Sequence, residues 1–446
     1  MAKKFLCIYH LTFSIFDERN GNMKTLIKNA SVLLADGKVK ETDIAVDGAK
    51  IAKVGDAKDF AADTVIDGKG KFAVPGFVNA HTHASMTLLR SYADDMNLMD
   101  WLQNKIWPIE AKMKKDDIYW GAMLAAVEMI RTGTTTFADM YGDMEKVAEV
   151  AIDSGLRAVL SRGIIGSAPN GEAALEENIK LFDDYHGAGD GRITVMFGPH
   201  APYTCPPDFL RRVAKIAKER KAEVHIHLAE TKGEVENCLK DYGKTPIALM
   251  EETGILDCGV LGAHCVHLSD EDIALMKKYN TRAAHNPGSN MKLASGIASV
   301  PKLLKAGVCV GLGTDGTSSN NNLDMLEEIR LAALLHKVDT LDPLAVPALE
   351  AVRMGTEYGA KAVGLKNLGK IEAGCQADVV LFDMGGAAWT PKFDLVSLLV
   401  YAASSADVDT VMVAGRLLME KKRLLTLDEE RVLFEANRCA ERISAK

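Results

Sequence analysis

The sequence predicts an α/β protein, a (β/α)8 TIM barrel with a small β-sandwich domain built from both chain ends. Three observations predict it. Through the middle of the chain, short β-branched or apolar runs alternate with amphipathic helical stretches in eight successive units. Strand texture with Asp-Gly turns fills residues 24–75 and returns after residue 370. Each of the eight middle runs also finishes on a polar or ionisable residue, at the end where such barrels keep their active sites.

Taken in order, residues 1–22, which open "MAKKFLCIYHLTFSIF", start basic and then turn apolar. His10 interrupts that run and no A-x-A cleavage site comes after it, so the segment reads as a loosely attached extension rather than a signal peptide. Met23 opens the first good strand pattern and is a candidate alternative start. Residues 23–75 form the first part of the sandwich, in "TLIKNASVLLADGK", "DIAVDGAKIAKVG" and "TVIDGKGKFAVPG". Residues 76–370 form the barrel, with strands ending near His83, Asp139, Arg162, His200, Glu230, His264, His285 and Asp315. Helical segments such as "DDIYWGAMLAAVEMIRTG" and "PDFLRRVAKIAKER" lie between them. Residues 371–446 supply the second part of the sandwich and a last helix, which a Thr-Leu-Asp-Glu capping box starts at Thr426.

Bulk properties exclude several classes of function. A net charge of −8 with no basic stripe argues against a nucleic-acid partner. No stretch approaches the ~20 apolar residues of a membrane span. The eight cysteines form no CxxC pair, which suits reduced thiols in a cytoplasmic enzyme.

The chemistry starts at "VPGFVNAHTH" (74–83). In a strand, residues i and i+2 share a face, so His81 and His83 point together into the barrel mouth. Two adjacent imidazoles in an enclosed site call for a shared cation or other strong partners. "HIHLAE" adds His227 and "GLGTDG" adds Asp315, both at strand ends. Three imidazoles and one carboxylate, with a position left for water, suit a catalytic divalent metal such as Zn²⁺, with Fe²⁺ or Mn²⁺ as alternatives. Glu230, three residues beyond His227, is placed for general acid–base work, and Asp315 for taking a proton from water. "GLGTDG" also matches GxGxxG, but it lies at the eighth strand and runs into "TSSNNN" instead of a helix, so a dinucleotide site is not expected. The H-x-E and P-C-x-x-C motifs of the other zinc deaminase architecture are absent.

In the order "PGFVNAHTH", "HIHLAET", "HCVHLS", "HNPGSNMKL" and "GLGTDG", the chain resembles the amidohydrolase superfamily from about residue 24 to beyond 415. Within it, "HTHASMTLLRSYADDMNLMDWLQNKIWPIE" is similar to the group of 5′-methylthioadenosine/S-adenosylhomocysteine deaminases. The resemblance implies one divalent metal on His81, His83, His227 and Asp315. The fourth strand ends "FGPHAPY", without the Lys that binuclear relatives use. It further implies that His264 orients the water, that Glu110 meets the ribose hydroxyls, and that Arg162, His200 and Trp101 contact the nucleoside. For Trp101 a core role, and for Arg162 a structural ion pair, stand as alternatives. Some relatives carry a second Arg for the amino-acid carboxylate of S-adenosylhomocysteine, and none stands between 163 and 191 here.

His225, His267, His285, Asn286, Asn290 and His336 read as hydrogen-bonding or loop-fixing residues, and "EAKMKKDD" (110–117) as a solvated helix face apart from Glu110. The expected activity is hydrolytic deamination of a small-molecule adenine nucleoside by a homo-oligomeric enzyme. Guanine, cytosine or s-triazine deamination, a ring-opening hydrolase and a non-catalytic metal protein are the alternatives.

Overall fold

The computed structural model describes residues 23–445, and the extension expected over residues 1–22 lies outside them. Five strands open the chain: β1 (Lys24–Leu33), β2 (Val39–Asp47), β3 (Lys50–Val54), β4 (Thr64–Asp67) and β5 (Lys71–Pro75). The barrel strands come next: β6 (Phe77–Thr82), β7 (Thr134–Tyr141), β8 (Arg157–Ile164), β9 (Ile193–Pro199), β10 (Val224–Leu228), β11 (Val260–His264), β12 (Arg282–His285) and β13 (Val310–Leu312). Four more come from the C-terminal end: β14 (Val379–Asp383), β15 (Val408–Val413), β16 (Arg416–Glu420) and β17 (Arg423–Leu424).

The end strands join one nine-stranded sheet in the order β17-β16-β15-β14-β5-β1-β2-β3, with β4 paired to β1. Its halves meet where β5 and β14 run antiparallel, Val74 opposite Val380. Alternate residues of these strands, among them Ile27, Val32, Ile44, Val46, Val379 and Leu381, bury one shared apolar core. A paired ion fastens this sheet to the barrel. Arg157, at the start of β8, forks onto Asp378 at 3.1 and 3.2 Å with both side chains nearly out of solvent.

Strands β6 to β13 pair in sequence order, each with its neighbour. All of these pairs are parallel, so their C-terminal ends gather at one mouth. Their interior is small and apolar (Val78, Ala80, Ala138, Val159, Leu261, Ala284) and is plugged from below by the segment through Ala360 and Val363. The first and last strands close through the Asp315 N–H, which donates to the His81 carbonyl at 2.9 Å. Glycine is needed at 313: a Cβ there would lie 2.7 Å from the His81 amide nitrogen. The GxGxxG match ends in this closing turn, and no helix begins before Met325.

Helices fill the connections, including Lys115–Arg131 and Pro207–Arg220 where amphipathic patterning predicts them. The last helix runs Glu429–Ser444 and differs from expectation in its cap. Asp428 accepts the Arg431 N–H at 3.1 Å, whereas Thr426 donates its hydroxyl to the Ser154 carbonyl. Asp428 wins because its side chain stands immediately before the first helical turn. The helix lays Ala436, Cys439 and Ile443 against Leu88, Leu89 and Trp101. Arg442 grips Asp117, so that residue of the 110–117 run is buried rather than solvated. No helix among the described residues is long and apolar enough to cross a membrane.

Candidate active site

At the barrel mouth, His81 and His83, both from the end of β6, meet Asp315 across the closing seam. Their Nε2 atoms lie 3.4 and 3.2 Å from Asp315 Oδ1. His227, from the end of β10, and His264, from the end of β11, complete the arc. The ligand atoms of His81, His83 and Asp315 lie within 4.8 Å of one another, and so do those of His81, His227 and His264. His81 is common to both groups and wholly buried.

Hydrogen bonds behind the rings decide which nitrogen faces inward. His83 Nδ1 meets the Met140 carbonyl at 2.6 Å, and His227 Nδ1 meets the His200 carbonyl at 2.8 Å. A carbonyl only accepts, so each Nδ1 carries a proton and each Nε2 is the atom turned toward the site. His264 Nδ1 lies 2.9 Å from Asn290 Oδ1 and 3.3 Å from Asn286 Nδ2, so an acceptor and a donor both face it. His81 Nδ1 meets His225 Nε2 at 2.9 Å. The opposite atom, His81 Nε2, is buried without a hydrogen-bond partner. Burial pushes His81 down to about 3 and His227 well below the usual imidazole range. Burial opposes charging of His83 as well, but Asp315 beside it raises it to about 9. Asp315 is itself penalised by burial, yet His81 and His83 hold it well below the usual carboxylate range. An orphaned imidazole nitrogen beside two further imidazoles and an ionised carboxylate is a donor set that fits a divalent metal ion, which would take the place of the proton that Asp315 favours on His83.

The backbone is strained where these groups enter. Ala229, His264 and Asp315 adopt left-handed φ values of 50°, 71° and 59°, each costing of order 1–3 kcal/mol. Glu234 holds the first of these turns. Its two carboxylate oxygens accept the N–H groups of Ala229 and Glu230, each at 2.8 Å. Glu230 is thereby turned inward, 3.9 Å from His264 Nε2, and accepts the Ser295 hydroxyl at 3.4 Å. Burial raises its pKa. Asp315 Oδ2 is taken by the hydroxyls of Ser289 and Ser319, each at 2.7 Å, which leaves Oδ1 facing the imidazoles.

A cavity of about 280 Å³ opens above this floor. His83, Trp101, Glu110, Arg162, His200, His227, Glu230, His264 and Asp315 all line it, with His81 beneath. Trp101 lines the cavity and packs in the cluster under the C-terminal helix, its Nε1–H donated to the Ala93 carbonyl. Arg162 likewise lines the cavity while its Nε–H pairs with Glu177 at 2.6 Å. The Glu110 carboxylate accepts the Tyr141 hydroxyl, and burial raises its pKa. His200 Nδ1 contacts the Thr204 hydroxyl at 3.1 Å, and burial pushes the ring down to about 4. His267 binds the Ser295 carbonyl, and His285 pairs with His336 at 3.2 Å, away from the cavity.

Tyr141, Glu234, Ser289 and Ser319 carry no mark in the sequence that singles them out beforehand, with one exception. For Glu234 a signal exists: Thr231-Lys-Gly-Glu has capping spacing, and Thr231 does accept the Glu234 N–H.

Residues 72–418 match the amidohydrolase family. The chain belongs to that family. A 5-methylthioadenosine/S-adenosylhomocysteine deaminase of Pelotomaculum thermopropionicum is 52% identical over 425 residues, covering 94% of this chain and 98% of the relative. One from Desulforudis audaxviator is 50% identical, covering 94% and 99%. Among solved structures, a zinc-bound adenosine deaminase from Xanthomonas campestris superposes with a TM-score of 0.91 at 34% identity, covering 94% of this amidohydrolase and 98% of that chain. An atrazine chlorohydrolase of Arthrobacter aurescens in complex with zinc gives 0.88 at 26% identity, covering 93% and 100%.

Proposed function

We propose that this amidohydrolase removes the 6-amino group of an adenine nucleoside (5′-methylthioadenosine, S-adenosylhomocysteine or adenosine) by hydrolysis, giving the inosine analogue and ammonia. The observation that carries the reading is one cavity with two carboxylates assigned to different parts of a nucleoside. Glu230 stands beside the histidine cluster, and Glu110 lines the wall under the Tyr141 hydroxyl. Deaminase relatives at about half identity over nearly the whole chain support it.

His81, His83, His227 and Asp315 would hold the metal. Zinc is favoured by the zinc-bound structural neighbours and by the mixed nitrogen and oxygen donors. A bound divalent ion lowers the pKa of water from 15.7 to about 7, supplying a nucleophile at neutral pH. Asp315 Oδ1, left open by the two serines, accepts the proton of the attacking water. His264 orients that water with its Nε2 lone pair. Glu230, whose burial favours the protonated form, donates to the ring nitrogen, then takes the proton of the new C6 hydroxyl as the carbonyl forms and passes it to the departing amine; the proton held on Asp315 restores Glu230. Glu110 accepts from the ribose hydroxyls, while Trp101, Arg162 and His200 bound the remainder of the nucleoside.

Three further readings accompany this one. Division into residues 23–75 plus 371–446 and a barrel over 76–370 is supported by the two separate sheets. A homo-oligomer is supported by an apolar stripe of Leu334, Val338, Leu341 and Leu344, of which Leu341 is 89% exposed. A cytoplasmic setting is supported by seven cysteines without a disulfide among the described residues.

The test is a substrate panel. Metal-loaded protein is expected to release ammonia from at least one of the three adenine nucleosides, and Glu110→Ala is expected to impair nucleosides far more than free bases. Turnover of guanine, cytosine or a triazine with none on the nucleosides would overturn the assignment.

A further inference from the structure

His81 stands apart from the other imidazoles of the site in its hydrogen-bond partner. His83 and His227 each rest their Nδ1 on a backbone carbonyl, so their orientation is set by a fixed acceptor. His81 rests its Nδ1 on a second imidazole, His225, at 2.9 Å. An imidazole pair has no inherent direction, because either ring can donate. The direction is set one step further back. Ser161 Oγ lies 3.1 Å from His225 Nδ1 and 2.9 Å from the Asp139 carbonyl oxygen. A hydroxyl has one proton and a carbonyl only accepts. Both contacts are therefore hydrogen bonds only if Ser161 donates to Asp139 and accepts from His225 Nδ1–H. His225 Nε2 then carries a lone pair, His81 Nδ1–H donates to it, and His81 Nε2 turns a lone pair into the site.

We propose that His225 is a positioning residue: through the Asp139–Ser161–His225 chain it fixes His81 in the tautomer that can bind a metal. The inference rests on the reading of His81 as a metal ligand. The orphaned, fully buried His81 Nε2 agrees with it, since the opposite tautomer would put a proton where the ion must sit. Both rings and the serine are buried, so water does not substitute freely for a lost partner.

The experiment measures metal affinity by chelator competition on purified full-length protein, with the absorption spectrum of the Co²⁺-loaded form and the melting temperature of the metal-free form alongside. Wild type must take up metal; if it does not, the metal-site reading fails and this inference with it. His225→Leu removes the acceptor and is expected to weaken metal affinity about 10–100-fold. His225→Gln, whose Oε1 can accept from His81 Nδ1–H, is expected to restore most of that affinity and the wild-type Co²⁺ spectrum. Ser161→Ala leaves the direction of the chain unset and is expected to give an intermediate loss of metal affinity, with a modest fall in the metal-free melting temperature from the unpaired His225 Nδ1–H. Should His225→Leu fail to fold, Ser161→Ala and His225→Gln decide. Wild-type affinity in His225→Leu or in Ser161→Ala would overturn the proposal, as would a loss in His225→Gln as large as that in His225→Leu.

Discussion

The Asp315 amide donates to the His81 carbonyl at 2.9 Å, so the bond that closes the barrel joins two members of the proposed metal set. Fold and site share that seam. Gly313→Ala places a methyl against the His81 backbone, 2.7 Å from its nitrogen. Forced overpacking of this kind costs about 1–3 kcal/mol. A lower melting temperature is expected together with weaker metal binding, because the strands that carry His81 and Asp315 must move apart. Thermal melts paired with chelator titration check this; a destabilised protein with unchanged metal affinity would show that the seam does not set the site.

Glu230→Gln keeps the size of the side chain and removes its proton. It is expected to lower kcat by about 10²–10⁴-fold, the usual share of a general acid–base group. Metal content should stay at the wild-type value, since Glu230 faces His264 rather than the His81, His83 and Asp315 group. Steady-state kinetics and metal analysis on the same preparation separate the two roles. Loss of metal instead would make Glu230 a ligand.

Glu234 acts one step behind Glu230. A carboxylate is needed there because two N–H groups, those of Ala229 and Glu230, both require an acceptor. Glu234→Gln turns an amide N–H toward one of them and leaves that buried donor unpaired, a cost of about 1–3 kcal/mol. The expected result is reduced stability with a fall in kcat and little change in KM, because the strained turn at Ala229 loses its clamp. Equal stability and equal kcat would remove Glu234 from the account.

Stability should also depend on pH through Glu328. Its carboxylate is buried beneath Gly288 and Asn320, whose N–H groups it accepts. Burial pushes its pKa up to about 8, against about 4.3 in the unfolded chain. The folded state therefore binds this proton more tightly. The associated stabilisation is complete below the unfolded value and is lost as pH rises through about 8. Glu328→Gln cannot ionise, so the melting temperature of the variant relative to wild type should climb between about pH 5 and pH 8. A difference constant over that window would refute the assignment.

Much of this is legible in the chain because barrel chemistry sits at strand ends. His81 and His83 are two residues apart on one strand, and a period of two puts them on one face without further information. His227, Glu230 and Asp315 each come after a short, mostly apolar run that reads as a buried strand. The partners that orient these groups are less visible. His225 lies 144 residues from His81, and Ser289 lies 26 residues from Asp315, so no local pattern links them. Tyr141, at the end of β7, reaches Glu110 in the helical turn Trp107–Glu110, 31 residues away in the chain. Thr426 misleads for the opposite reason, since Thr426 and Asp428 both offer an oxygen ahead of the helix; Asp428 takes the cap, and the threonine hydroxyl goes to the Ser154 carbonyl.

The most direct measurement is turnover of 5′-methylthioadenosine while metal is stripped by a chelator and returned in substoichiometric steps of Zn²⁺. The account predicts that turnover disappears with the metal and recovers linearly to a plateau at one ion per chain. Turnover that survives chelation, or recovery that breaks at two ions, would contradict it.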